Sequence, residues 1–216
     1  MPPIVTFIGW HDSGKTTLAS QVVTHLKERG YRIAVIKHTK ETGIVFDQAG
    51  TDTYTYLQAG ADCITLIAPD QMVMRTENPD MDLITLAFRF FPDVDMVIGE
   101  GFKQERQVAK IEVARGEGEL LRNQVNGVIA IATDQPVTGD YIFRLDESRE
   151  IAQFIEKRFL QDRDKNQEKV TLLVNGSRVV LKEFVQESLA ATVAGFVSSL
   201  KATDKMGEIE LRIKLD

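Results

Sequence analysis

The fold is decided by the stretch Gly9-Trp10-His11-Asp12-Ser13-Gly14-Lys15-Thr16, which matches the phosphate-binding pattern G-x-x-x-x-G-K-[ST]. It follows an apolar run, Ile4–Ile8, that predicts a buried strand, and it precedes a run with helical periodicity that begins near Leu18. The backbone N–H groups of such a loop converge on an anion at the positive end of the helix. The stretch therefore predicts a nucleotide-binding loop between a strand and a helix.

The residue types in this loop suit the phosphate chain of a nucleotide. Lys15 is expected to reach the β- and γ-phosphates, and the Thr16 hydroxyl is expected to hold Mg²⁺. A lysine at a helix start is otherwise unfavourable, because the first turn carries a partial positive charge. The predicted nucleotide-binding residues are this loop and two later positions: Trp10, His11, Asp12, Ser13, Gly14, Lys15, Thr16, Thr17, Thr133 and Asp134.

A second metal ligand is expected at the edge of the sheet formed by the carboxyl ends of its strands, where open α/β sheets bind ligands. Glu100 directly follows the apolar run Met96–Gly99, whereas Asp95 precedes it and falls at the opposite edge. Glu100 is therefore predicted to lie near Mg²⁺ together with Thr16.

Two further groups of polar residues follow predicted strands and are expected at the same edge. Thr133 and Asp134 end one strand, and a carboxylate there could accept hydrogen bonds from guanine N1–H and N2–H₂, although Thr-Asp is also ordinary turn chemistry. Lys37, His38 and Asp47 follow the second strand. They are candidates for other phosphate or metal contacts in the cleft, or for a solvated strand end.

Composition limits the class of protein. A chain of 216 residues with 43% hydrophobic and 27% charged residues can build a core without disulfides or metals. The net charge of −6 argues against sequence-independent nucleic-acid binding. The short apolar runs and the lack of a basic N-terminal segment lead us to expect a cytoplasmic protein. The lone Cys63 excludes an intramolecular disulfide or a cysteine-built zinc site within one chain.

Apolar strand-like runs alternate with helical runs up to about residue 160, which is typical of an α/β domain of the P-loop NTPase type. Its largely parallel sheet should be flanked by helices. The predicted strands are Ile4–Ile8, Tyr31–Lys37, Ile64–Ala68, Met72–Arg75, Met96–Gly99, Lys110–Ala114, Val128–Ala132 and Tyr141–Arg144. The predicted helices are Leu18–Arg29, Thr51–Ala59, Leu83–Phe90 and Ser148–Leu160.

A polar, mixed-charge stretch after Leu160 predicts a boundary, which divides the chain into residues 1–162 and residues 168–216. The second part predicts a small ββαβ appendix. It has two strands, Val170–Val174 and Arg178–Leu181, around an Asn-Gly turn, then a helix with apolar residues between Val185 and Leu200. Its last element is expected to be a half-buried strand, Glu208–Leu215.

Several motifs together resemble the molybdopterin-guanine dinucleotide biosynthesis protein B (MobB) family, over roughly residues 3 to 159. They are Gly9–Thr16, Ile36-Lys37-His38, the run from Asp47 to Thr53, Gln58-Ala59-Gly60-Ala61, and the run from Val97 to Lys103. The resemblance implies a GTP-binding protein with at most slow GTPase activity. Such a protein assists a MobA-type molybdopterin guanylyltransferase, which attaches GMP to molybdopterin. By that likeness GTP and Mg²⁺ are the cofactors, and direct molybdopterin binding and a homodimer are left open.

The same loop leaves other functions to be weighed. The main alternative is a small-molecule kinase or an ATP-dependent ligase of the dethiobiotin synthetase type, for which rapid, substrate-stimulated phosphate release would speak. A GTPase that inserts nickel is disfavoured, because the chain has only three histidines and one cysteine to carry the metal. Membrane and nucleic-acid partners are not expected.

Overall fold

The computed structural model describes residues 1–45, 47–77, 80–161, 169–175, 177–200 and 207–213. Its strands are β1 (Ile4–Ile8), β2 (Ile33–Lys37), β3 (Cys63–Ile67), β4 (Met72–Thr76), β5 (Met96–Glu100), β6 (Ala109–Ala114), β7 (Val128–Thr133), β8 (Ile142–Phe143), β9 (Leu172–Val174) and β10 (Ser177–Val179). Its α-helices are α1 (Lys15–Glu28), α2 (Asp52–Gln58), α3 (Leu83–Phe90), α4 (Ser148–Phe159) and α5 (Glu183–Ser198).

The central sheet has six strands in the order β2-β5-β1-β6-β7-β8, and every neighbouring pair is parallel. This confirms the expected α/β fold with a parallel sheet. All five residues of β1 are buried, as a strand in the middle of a doubly covered sheet requires. In the register, Phe7 pairs with Glu100 on β5 and Ile8 pairs with Glu112 on β6. The loop after β1 therefore begins between the ends of β5 and β6.

Helices cover both faces of the sheet because successive strand residues point to opposite sides. One face packs against α1 and α4 through Val22, Leu26, Ile151 and Ile155, which are all fully buried. The other face packs against α3, whose Leu83 and Ala87 are fully buried. The apolar spacing of each helix follows the 3.6-residue period from which the helices were predicted.

Strands β5 and β6 lie on either side of β1, and the connection between them, residues 101–108, contains no helix. We call it the strap. Lys110, a fully buried residue near the start of β6, holds the end of the strap in place. Its ammonium donates hydrogen bonds to the carbonyl oxygens of Glu105, Val108 (3.4 Å) and Asn126 (2.9 Å). Burial lowers the pKa of Lys110, and the carbonyl oxygens satisfy its charge.

Strands β3 and β4, both predicted, form a separate antiparallel hairpin with its turn at Pro69-Asp70-Gln71. The N–H of Ala68 closes this turn on the carbonyl oxygen of Gln71 at 2.8 Å. The hairpin exposes large apolar side chains: Leu66, Ile67, Met72, Val73 and Met74.

The C-terminal part agrees with the prediction only in its first three elements. Strands β9 and β10 pair antiparallel, and Asn175 at their turn has φ 50°. Helix α5 follows. The predicted strand Glu208–Leu215 is wrong as far as residue 213, because residues 208–213 form no strand, and Leu211 and Ile213 are exposed. An alternating apolar pattern makes a strand only where another strand or a face is available to pair with it, and residues 214 and 215 lie outside the described ranges. Among the helices of the described ranges, none has the length and apolar content that crossing a membrane requires.

Candidate nucleotide-binding site

The phosphate loop joins β1 directly to α1, as the sequence predicted. Gly14 caps α1 with φ 89°, a left-handed conformation that glycine adopts without steric cost. No side chain caps the helix, so the N–H groups of its first turn are open to a ligand. The Gly14 carbonyl oxygen accepts the first helical hydrogen bond, from Leu18 N–H at 3.0 Å. The loop thus presents backbone donors at the positive end of a helix, which is where anions bind.

The Lys15 side chain folds back over this loop. Its ammonium donates to the Trp10 carbonyl oxygen at 2.5 Å and to the Ser13 hydroxyl at 3.5 Å. Burial lowers the pKa of Lys15 below the ordinary value of 10.5, and the carboxylates of Glu100 and Asp12 act in the opposite direction. A lysine held over a loop of backbone donors, with part of its hydration lost, is arranged to receive a negative charge.

Thr16 and Glu100 meet at the mouth of the loop. The Thr16 hydroxyl donates to Glu100 Oε1 at 2.7 Å, and the same oxygen forms an ion pair with Lys37 Nζ at 3.2 Å. The Glu100 side chain is 12% exposed. The structure therefore brings together the two predicted magnesium ligands and Lys37. Asp95, at the opposite end of β5, accepts from Arg32 N–H at 2.7 Å and stands far from this group along the strand.

The position of Glu100 depends on close packing between β5 and β1. A methyl group placed on Gly99 would lie 2.5 Å from Thr6 Cγ2 and 3.3 Å from Leu83 Cδ2. Two carbon atoms pack at about 3.5–4.0 Å, so the site has no room for a side chain. Glycine at this position lets β5 bring the next residue, Glu100, against the loop.

Trp10 lies across the side of the loop. Its indole N–H donates to the Glu119 carbonyl oxygen at 2.8 Å, and the Lys103 ammonium stands 4.8 Å from the centre of its ring. Trp10 as a whole remains 45% exposed. His11 and Asp12, at the tip of the loop, are both exposed and face each other at 2.7 Å. In this geometry Trp10 covers the side of the phosphate loop.

His38 and Asp47 occupy different surroundings. The N–H of His38 donates to the Glu100 carbonyl oxygen at 2.9 Å, and its ring packs at 5.4 Å from Phe102. His38 therefore adjoins the site. The Asp47 carboxylate instead accepts from the Thr51 hydroxyl at 2.8 Å, near the start of α2. Hydrogen bonds, first of all the one from Thr53, lower the pKa of Asp47, which is half-buried. Its described contacts organise the turn before α2 and do not join it to Glu100.

Thr133 and Asp134 lie at the carboxyl end of β7, as predicted. Thr133 is buried, and its hydroxyl accepts from Gln135 N–H at 3.1 Å. The Asp134 carboxylate accepts from Gly116 N–H at 2.8 Å, and so it ties the loop after β6 to the end of β7. In the structure this carboxylate orders a loop beside the phosphate loop. The predicted hydrogen bonds from a guanine base would need the lone pairs of Asp134 that Gly116 does not occupy.

The structure adds a residue that the sequence reasoning missed. Arg115 directly follows β6, and its guanidinium approaches Gly14. A shallow cleft of about 460 Å³ opens between residues 10–13 and residues 115–119. The signal for Arg115 was present in the sequence, since a basic residue after an apolar strand next to β1 falls at the ligand-binding edge of the sheet.

Comparison with known proteins places this geometry in a family. The family model for molybdopterin guanine dinucleotide synthesis protein B (MobB) matches residues 4–134. The molybdopterin-guanine dinucleotide biosynthesis adapter protein of Escherichia coli K12 is 37% identical over 147 residues, which are 65% of this chain and 83% of that protein. The protein of the same name from Haemophilus influenzae is 35% identical over 159 residues, which are 71% of this chain and 88% of that one.

Solved structures agree with the sequence comparisons. A crystal structure of molybdopterin-guanine biosynthesis protein B superposes with a TM-score of 0.58 at 27% identity, and the match covers 72% of this chain and 99% of that one. A crystal structure of Bacillus subtilis MobB shares the fold with a TM-score of 0.60 at 23% identity, over 74% of this chain and 99% of that one. With its phosphate loop, its parallel sheet and these relatives, the chain belongs to the MobB family.

Proposed function

We propose that this protein is a GTP-binding adaptor in molybdopterin guanine dinucleotide formation. It binds GTP with Mg²⁺ and assists the guanylyltransferase that attaches GMP to molybdopterin. The observation that carries the proposal is the meeting of Lys15, Thr16 and Glu100 at an uncapped helix start, in a chain whose relatives are named adapter proteins of this synthesis. Hydrolysis of GTP is expected to be slow, as befits an adaptor.

The residues at the site suit both cofactors. Mg²⁺ prefers hard oxygen ligands, and the Thr16 hydroxyl and the Glu100 carboxylate are 2.7 Å apart. Phosphate oxygens prefer backbone N–H donors and an ammonium, which the loop and Lys15 supply. When bound, the metal neutralises charge on the β- and γ-phosphates. Lys37, now paired with Glu100, remains close enough to balance the carboxylate or a phosphate.

One titration tests the nucleotide and the metal together. Binding of GTP and of ATP is measured by calorimetry with Mg²⁺ and with EDTA, with and without molybdopterin, for the wild type and for Glu100→Gln. The amide keeps an oxygen for the Thr16 hydroxyl but lacks the negative charge, so this variant should lose most of the gain in affinity that Mg²⁺ gives. Glu150→Gln is the matched control, because this exposed carboxylate lies on α4.

The outcomes separate the alternatives. Tight GTP binding that depends on Glu100 only when Mg²⁺ is present supports the proposal. A wild-type protein that binds neither nucleotide overturns it. Preference for ATP, with rapid phosphate release on addition of a small-molecule substrate, favours the kinase or ligase function instead.

We also propose that the chain forms a homodimer through the β3–β4 hairpin. A two-stranded hairpin is marginally stable alone, and large exposed apolar patches mark protein interfaces. Its apolar side chains have exposed fractions between 43% (Met74) and 77% (Ile67). Ile67 and Met72 pair across the hairpin, so Ile67→Glu with Met72→Glu should convert the dimer to a monomer in sedimentation velocity. A wild-type monomer at micromolar concentration would contradict the dimer proposal.

The C-terminal residues 168–216 are proposed to be a separate module. None of the residues of α5 is buried, and the family match ends at residue 134. The nucleotide site is built entirely from elements that precede residue 135, which makes the module dispensable for GTP binding.

A further inference from the structure

Arg115 lies beside the phosphate loop, where none of the described residues pairs with its guanidinium. A methyl group placed on Gly14 would lie 3.5 Å from Arg115 Nη2 and 3.9 Å from its Cζ, so the guanidinium rests against the first residue before α1. Arg115 makes no hydrogen bond or ion pair within the described ranges, and its side chain is exposed. Asp12, Glu117 and Glu119 line the same cleft, but their carboxylates lie beyond ion-pair distance of it.

This placement is unfavourable in the ligand-free protein. The N-terminal end of α1 carries a partial positive charge, and a second cation, Lys15, already lies on the loop. An unpaired guanidinium next to both raises the electrostatic energy of the site. A bound anion would make the electrostatic energy of Arg115 favourable, since guanidinium groups match phosphate oxygens in geometry and charge.

The loop that carries Arg115 is fixed at both ends. Gly116 N–H donates to the Asp134 carboxylate at 2.8 Å, and the Glu119 carbonyl oxygen accepts the Trp10 indole N–H at 2.8 Å. These bonds connect the loop to β7 on one side and to the phosphate loop on the other. Arg115 is therefore held at the edge of the site, and its backbone loses little conformational entropy when a ligand binds.

We propose that the Arg115 guanidinium binds the α-phosphate of the nucleotide. This inference rests on the proposed function. Glu100, at the end of β5, would hold Mg²⁺ together with Thr16, and the metal would neutralise charge on the β- and γ-phosphates. Arg115 follows β6, which is the other neighbour of β1. With its β- and γ-phosphates on the β5 side of the loop, the nucleotide would have its α-phosphate on the β6 side, next to Arg115.

Titrations of GTP, GDP and GMP test this assignment, with Mg²⁺ present, for the wild type, Arg115→Gln and Arg115→Lys. Arg115→Gln should weaken all three nucleotides by about the same factor, roughly 10- to 100-fold, because the α-phosphate is the one phosphate that all three contain and the lost contact is a charge-assisted hydrogen bond. The nucleotide affinity of Arg115→Lys should lie between those of the wild type and Arg115→Gln, since the ammonium keeps the charge but lacks the planar arrangement of donors. Affinity should also depend less on salt in Arg115→Gln.

Arg149→Gln is the matched control, because Arg149 is an exposed arginine on α4, next to Ser148, which contacts His25 near the far end of α1. Equal affinities for Arg115→Gln and Arg149→Gln would overturn the assignment, and so would a loss that spares GMP, which would place the guanidinium on the β- or γ-phosphate. A wild type that binds none of the nucleotides would instead overturn the proposed function. Melting temperatures of all variants should match, since the substituted side chains are exposed.

Discussion

Replacing Gly99 by alanine tests whether close packing of β5 against β1 positions the metal ligand. The new methyl group would stand 2.5 Å from Thr6 Cγ2, about 1 Å inside the normal carbon–carbon contact distance. Overpacking of this kind costs about 1–3 kcal/mol. For a chain of this size, a loss of about 2 kcal/mol lowers the melting temperature by roughly 4–8 °C. Calorimetric melting measures that shift, and the same preparation should lose affinity for GTP with Mg²⁺ more than for GTP with EDTA, because the displaced group is Glu100.

The second substitution Thr6→Ser supplies the control, since it removes the methyl group with which the new one collides. Alone, Thr6→Ser should lower the free energy of unfolding by about 1 kcal/mol, which is the contribution of one buried methyl group. Combined with Gly99→Ala, it should restore most of the stability, because the alanine methyl fills the vacated space. The two substitutions should thus show a favourable coupling of about 2 kcal/mol. Additive losses in the double variant would refute the reasoning, and so would Gly99→Ala at wild-type stability.

Three further predictions concern the loop and the appendix. Lys15→Ala should abolish nucleotide binding and leave the melting temperature unchanged, because the ammonium bonds only to loop atoms at the surface; an unfolded variant, or one that binds normally, would speak against the assigned role. Nucleotide affinity should fall as the pH rises toward 10.5, because burial lowers the pKa of Lys15 in the free protein and its ammonium loses the proton at a lower pH than an ordinary lysine does. Nucleotide binding should therefore take up protons in that pH range. An affinity that stays constant up to pH 10.5 would contradict this prediction. A chain that stops after Lys165 should keep its GTP affinity in calorimetry, and loss of the folded first domain would mean that the appendix completes its core.

The central strands and their helices were predictable because each carries a strong local pattern. The β1 strand is apolar at every position but Thr6, and α3 begins at an Asp82 cap and was predicted with its observed bounds. Glu100 was predictable for a different reason, since its place at the carboxyl end of a parallel strand fixes the edge on which it lies. Both inferences need only the order of residues along one element.

The remaining features depend on contacts between distant segments. The predicted strand after Glu208 failed because alternation alone provides no pairing partner. Asp134 follows β7 as predicted, but its carboxylate accepts a hydrogen bond from Gly116 N–H in another loop. The local sequence around Asp134 does not predict that bond. Arg115 was missed because a single basic residue after a strand is common at protein surfaces. Its meaning comes from the Gly14 backbone, 101 positions earlier in the chain, which only the folded sheet brings near.

The strap between β5 and β6 restricts how this part of the protein can change in length during evolution. Its eight residues, 101–108, reach about 26 Å when extended, whereas its ends lie only about 12 Å apart, because Glu100 pairs with Phe7 and Ala109 pairs with Val5 on β1. A turn in which Glu105 N–H donates to the Phe102 carbonyl oxygen consumes part of the reserve. The rest is fixed near its end by Lys110, whose ammonium holds the carbonyl oxygens of Glu105 and Val108. Related sequences should therefore vary in length before Glu105 and keep the number of residues from Glu105 to Lys110 constant.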